Sequence, residues 1–122
     1  MKVLHVIASV AESDGGPGFA ALEMVRALND AGGQALLATT DFGGRGERLA
    51  HATGVVEPFG GAPLIAFPMV GTSEREKRSP GLAAWIAAHA RDHDVVHVHG
   101  LFSHAMRAAV AACRASSRRW GT

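Results

Sequence analysis

Hydrophobic and polar positions along this chain follow two alternating rhythms. Residues 3–10, VLHVIASV, form an almost unbroken apolar run. Further short runs follow at Ala35-Leu36-Leu37-Ala38, Pro63-Leu64-Ile65-Ala66-Phe67 and Val95-Val96-His97-Val98. Short continuous runs suit strands buried on both faces, as in a parallel sheet covered by helices. They predict strands over 2–9, 34–40, 63–69 and 94–99. Between them the apolar spacing becomes helical. Ala21, Leu22, Val25 and Leu28 form one stripe, with Glu23, Arg26 and Asp30 opposite. This predicts a helix over 18–31, stopped by Gly32-Gly33. Ser79 caps a helix over 80–91, with Pro80 in its first turn. Leu82, Ile86 and His89 share one face of it, and Trp85 beside them reads as core. Ser103 caps a last helix to about residue 115, whose core face is Met106, Ala109, Val110 and Cys113.

The remaining stretches are polar or glycine-rich. Residues 41–62 hold Gly43-Gly44-Arg45-Gly46 and Gly60-Gly61 and read as loop, with at most one helical turn at 47–52. A loop of that length is either functional or mobile. The charged run at 71–78 reads as a solvated loop, and residues 116–122 carry no pattern. The whole rhythm is that of a doubly wound, Rossmann-like α/β domain with a parallel sheet. Right-handed crossovers put the first strand between the second and fourth. Ligands in such sheets bind where the winding reverses, beyond the carboxyl ends of the strands. The loops expected to meet there are residues 9–18 and 100–104.

Composition excludes several function classes. The chain has 122 residues, 48% apolar and 19% charged, with a formal net charge of +1. That size suits one domain with a modest core. Near-neutral charge gives no electrostatic case for nucleic acid or an anionic membrane. Arg114, Arg118 and Arg119 lack the aromatic interleaving of a nucleic-acid module. A single cysteine, Cys113, permits no internal disulfide and fits a reducing compartment. No apolar run reaches the ~20 residues of a membrane span. Lys2 and the run after it superficially resemble a signal peptide. His5 interrupts that run, and no small-x-small cleavage site follows. A cytoplasmic protein is expected, with peripheral membrane association left open.

Chemistry concentrates at the two crevice loops. Gly15-Gly16-Pro17-Gly18 stands between the first strand and its helix. Glycines there let backbone approach a ligand, and the helix N-terminus offers N–H groups to an anion. The plainer reading is a tight strand-to-helix turn. Ser13 and Asp14 suit either a ligand contact or the turn. His97 and His99 alternate with valines and so share one sheet face. A His-x-His strand can chelate metal, and His104 lies nearby in sequence. No carboxylate or cysteine completes the set, so no metal is expected. His5 reads as structural and His97 as a hydrogen-bonded core histidine. His99, at a strand's carboxyl end, either lines the cleft or holds structure. His104 falls in a first helical turn, facing cleft or solvent. Gly43–Gly46 reads as a mobile loop in preference to a phosphate site, and Glu74–Arg78 as a solvated face.

The opening KVLHVIASV…GGPG with its Ala-Leu-Glu helix, then PGLAAWI and DVVHVHGLFS, resembles the N-terminal domain of GT-B glycosyltransferases of the retaining family 4 type. The likeness runs from residue 1 to about 113. It implies two Rossmann-like domains facing a cleft, an N-terminal one for the acceptor and a C-terminal one for the nucleotide sugar. It implies hexosyl-type transfer with retention, no cofactor, and a nucleotide-sugar donor as substrate. The acceptor would be a glycan, a lipid or a small molecule. Gly15, Gly16, Pro17, Gly18, His99, Gly100 and His104 are the implied substrate-binding residues, with no catalytic residue assigned in this chain. Backbone N–H groups of the glycine loop would stabilise charge on the leaving phosphate.

Family members are roughly three times as long, about two domains' worth. The expectation is therefore a fragment. Residues 1–115 would form a partial acceptor-side domain with an unpatterned tail at 116–122, inactive without its donor-binding domain. The strand over 94–99 would then keep an unpaired edge. The competing reading is a stand-alone α/β module that binds a nucleotide or a protein without catalysis.

Overall fold

The computed structural model describes residues 1–122 except 13, 14, 45, 72, 74, 75, 101 and 102. Strand β1 spans Lys2–Ile7 and helix α1 Gly16–Asp30. Strands β2, Gln34–Thr40, β3, Glu57–Phe59, and β4, Ala62–Phe67, come next. Helix α2, Pro80–His89, runs into a 3-10 turn at Ala90–Asp92. Strand β5, Val95–His99, helix α3, His104–Ser116, and strand β6, Arg119–Gly121, complete the chain.

The strands form one sheet in the order β3-β4-β2-β1-β5-β6. Every pair is parallel except β3–β4. As expected, β1 lies between β2 and β5, the strand predicted over 94–99. Register places Leu4 beside Leu36 and Val96, and His5 beside Leu37 and His97. The alternation of side chains along β1 divides the core in two. Leu4 and Val6 meet Leu82 and Ile86 of α2 and Ala105, Ala109 and Cys113 of α3. Ile7 faces the other way, with Leu37 and Leu64, toward Ala21 and Val25 of α1. Helices therefore cover both faces of a mostly parallel sheet, which is the Rossmann-like, doubly wound class.

Local chemistry explains the boundaries. Ser79 accepts from the Leu82 amide and Ser103 from the Met106 amide, so both hydroxyls cap their helices. Asn29 bonds the Ala35 amide and carbonyl through its own side-chain amide, fixing the α1–β2 turn. Helix α1 begins at Gly16, two residues before the predicted start, with Pro17 in its first turn.

Three expectations need correction. Residues 57–62 are not loop. Phe59 pairs with Ala62 across Gly60-Gly61, whose φ values are +57° and +81°. Two consecutive positive-φ glycines make a two-residue hairpin turn whose twist suits the flanking strands. Residues 116–122 are not patternless either. Ser116 ends α3, Ser117 turns the chain in a left-handed conformation, and β6 pairs in parallel with β5. The edge of β5 is thus covered. Leu28, expected in the core stripe, is 38% exposed. Trp85 packs against the core as expected, half-buried and stacking on His89 at 4.5 Å between ring centroids.

The long loop after β2 is anchored. Asp41 is buried, and its carboxylate accepts from the Met69 amide at 2.8 Å. Its carbonyl accepts from Leu49, and Arg48 approaches its second carboxylate oxygen at 3.6 Å. Of the charged run at 74–78, Glu76 pairs with Arg107 of α3, and Glu74 and Arg75 lie outside the described residues.

Candidate functional site

The carboxyl ends of β1 and β2 open into a cavity of about 830 Å³. Gly15 and Gly16 form part of its wall, Gly43 and Gly44 another part, and Phe19, Leu22 and Phe59 supply apolar surface. Glu12 and Glu47 add two carboxylates. The order of elements dictates this arrangement. β1 delivers the glycine loop, α1 turns Phe19 and Leu22 toward the opening, and the β3–β4 hairpin brings in Phe59. Phe19 is 69% exposed and so forms a lip. Gly15 is the N-cap of α1, no side chain among the described residues caps the helix, and no acidic residue occupies its first turn. The first amides of α1 are therefore unopposed by a helix carboxylate and point toward the Gly15–Gly16 rim.

The sequence-derived site residues separate into three groups. Gly15 and Gly16 line the cavity. Pro17 sits in the first turn of α1, and Gly18 is buried behind the wall. A Cβ on Gly18 would lie 2.9 Å from the Val10 Cα, so this glycine exists for close helix-to-loop packing. His99, Gly100 and His104 form no part of this cavity's wall. The cavity opens on the β2–β3 side of β1, where the sequence had placed a crevice on the β5 side. The reason is the β3 hairpin and the anchored loop after β2, which together build a second wall there. Ser13 and Asp14 lie outside the described residues, as do Leu101 and Phe102 of the 100–104 loop and Arg45 of the 43–46 loop.

His104 is half-buried. Its Nδ1 accepts from the Ser79 amide at 3.2 Å, tying the start of α3 to the start of α2. Burial and the nearby Arg107 and Arg78 guanidinium groups push its pKa below the ordinary value, which keeps it a neutral acceptor. His99 and His97 instead stack with His5. Centroid distances are 4.2 Å for His97–His99, 5.0 Å for His5–His97 and 5.2 Å for His5–His99. His5 Nδ1 and His99 Nε2 stand 2.9 Å apart and share a hydrogen bond. Desolvation by burial, then the neighbouring imidazoles, lowers His5 to about 4 and His99 to about 4. His97 is half-buried and held by stacking rather than by a hydrogen bond among the described residues. Sequence reasoning missed that His5 joins this set. The signal was available only through register, since His5 lies directly beside His97 across parallel strands.

Topology defines the class as a Rossmann-like α/β domain with a ligand-sized cavity at the carboxyl ends of its strands. Within that class, the chain is similar in fold to the Anabaena protein Alr3699/HepE, solved in complex with UDP and glucose. The TM-score is 0.64 and the sequences are 17% identical. The match covers 98% of this chain and 28% of the Anabaena chain. The chain thus spans about a quarter of the length of that neighbour. No known family profile matches the chain, and no curated protein does. Among the described residues, no helix is long and apolar enough to cross a membrane.

Proposed function

We propose that this chain is the acceptor-binding domain of a GT-B-like glycosyltransferase, of the retaining family 4 type. A second domain holds the nucleotide-sugar donor, and the acceptor-binding domain alone is inactive. The single observation behind this reading is the cavity beside the glycine loop. Its walls combine two phenylalanines, four glycines and two carboxylates. Aromatic and aliphatic surface suits the apolar face of a sugar ring, and carboxylates and backbone amides suit its hydroxyl groups. Glu12 and Glu47 oppose a diphosphate inside the cavity, since like charges repel. The anion instead suits the rim, at the N-terminus of α1. A hydroxylated, uncharged acceptor in the cavity with donor phosphate at the rim is the arrangement a sugar transfer needs. The fold neighbour in complex with UDP and glucose, the two halves of a nucleotide sugar, supports the same chemistry.

The test is a transfer assay with UDP-glucose and simple glucosides, first on the full chain alone and then with a donor-binding domain added. The expected result is no turnover by the chain alone. Efficient turnover without a second domain contradicts the proposal. Tight binding of UDP by the chain alone, with no saccharide binding, favours the stand-alone nucleotide-binding module instead.

A further inference from the structure

The α1-side sheet face also carries the three stacked histidines. We propose that His5, His97 and His99 form a tri-histidine site for a divalent cation of the zinc class, with a fourth position open to water. The three residues each offer a ring nitrogen, and these atoms all lie within 4.8 Å of one another. Zinc–imidazole bonds of about 2.0–2.1 Å put neighbouring ligand nitrogens of a tetrahedral site roughly 3.3 Å apart. The hydrogen bond of 2.9 Å between His5 Nδ1 and His99 Nε2 already holds these two rings together, which leaves His5 Nε2 as the nitrogen free to ligate. The three rings are stacked, so ligation requires them to rotate out of the stack toward a common point.

The second, independent observation is an orphaned atom. His5 is 1% exposed, and its Nε2 is buried with no hydrogen-bond partner among the described residues. A buried polar nitrogen left unsatisfied carries a desolvation cost that a cation bound through His5 Nε2 relieves. Access exists as well. A cavity of about 180 Å³ touches His5 and His97, with Val95 and Gly121 also in its wall. Water or a fourth ligand enters there. The backbone supplies rigidity, because His5 and His97 are register partners in adjacent parallel strands and His99 stands two residues along the same face. An all-nitrogen donor set selects zinc, cobalt, nickel or copper over magnesium or calcium. The bound ion would staple β1 to β5. This site shares no residue with the acceptor cavity and stands independently of the glycosyltransferase reading.

The test uses the untagged full chain, stripped with chelator and titrated with Zn²⁺ by calorimetry and with Co²⁺ by visible absorption. The expected result is one ion per chain, four-coordinate Co²⁺ bands and a raised melting temperature with Zn²⁺. H97A and H99A are expected to weaken binding by about tenfold or more, since even outer-shell partners of metal ligands change affinity by about 10–100-fold. H51Q, on the far loop, is expected to bind like the parent chain. Circular dichroism confirms that each variant is folded. If one of the two alanine variants fails to fold, the other carries the test. Absence of zinc binding by the parent chain, or undiminished binding in a folded H97A or H99A variant, overturns the proposal.

Discussion

At the scale of single residues, the glycines of the 15–18 loop divide by what surrounds them. Gly16 has open space where a Cβ would stand, whereas Gly18 meets the Val10 backbone. Sequence placed all four residues in one candidate ligand-binding loop, because spacing alone cannot distinguish a glycine that faces a cavity from one that packs on neighbouring backbone. G18A is expected to destabilise the fold by about 1–3 kcal/mol, the usual cost of overpacking against backbone. G16A is expected to change stability by less than about 1 kcal/mol. Paired denaturant melts check this, and equal losses for both variants would contradict it. The histidines teach a related lesson. His97 and His99 were legible as one face from their alternation, but His5 joins them only through register. Their low pKa values also set a direction. Between the ordinary value of 6.5 and about 4, the unfolded chain takes up protons that folded His5 and His99 refuse. In chelator-treated protein, this contribution to stability is therefore fully present above pH 6.5 and lost as pH falls toward 4. The melting temperature should fall across that window, and a flat profile would contradict the burial argument.

At the scale of elements, strands and helices with continuous apolar content were readable. β2 falls on the expected residues, and α2 and α3 start at the caps that Ser79 and Ser103 announce. The two missed strands are each three residues long. Neither is long enough to show a period, and each exists through pairing. β3 is held to β4 by a two-glycine turn that was a hairpin signal in its own right. β6 is held to β5, with Trp120 opposite Val96. Because β6 covers that edge, deleting residues 119–122 should expose the unpaired groups of β5. Increased aggregation in light scattering, with a lower melting temperature, is the expected outcome. Unchanged solubility and melting would show that β6 contributes no protection.

At the scale of the whole molecule, the strand order and the two-sided helix cover followed from rhythm and crossover handedness. The position of the cavity did not. It depends on a hairpin and on the anchoring of the loop after β2 by Asp41, whose carboxylate reaches the Met69 amide at the end of β4. Such long-range contacts leave no trace in local spacing. They shape a cavity on the β2–β3 side of the glycine loop, whose wall does not include His99. Amide-resolved NMR of the full chain, titrated with a neutral disaccharide such as maltose, tests this account most directly. The account predicts saturable shifts at Gly15, Gly16, Gly43 and Gly44. Shifts confined to His99 and Gly100, or none at any accessible concentration, would contradict it.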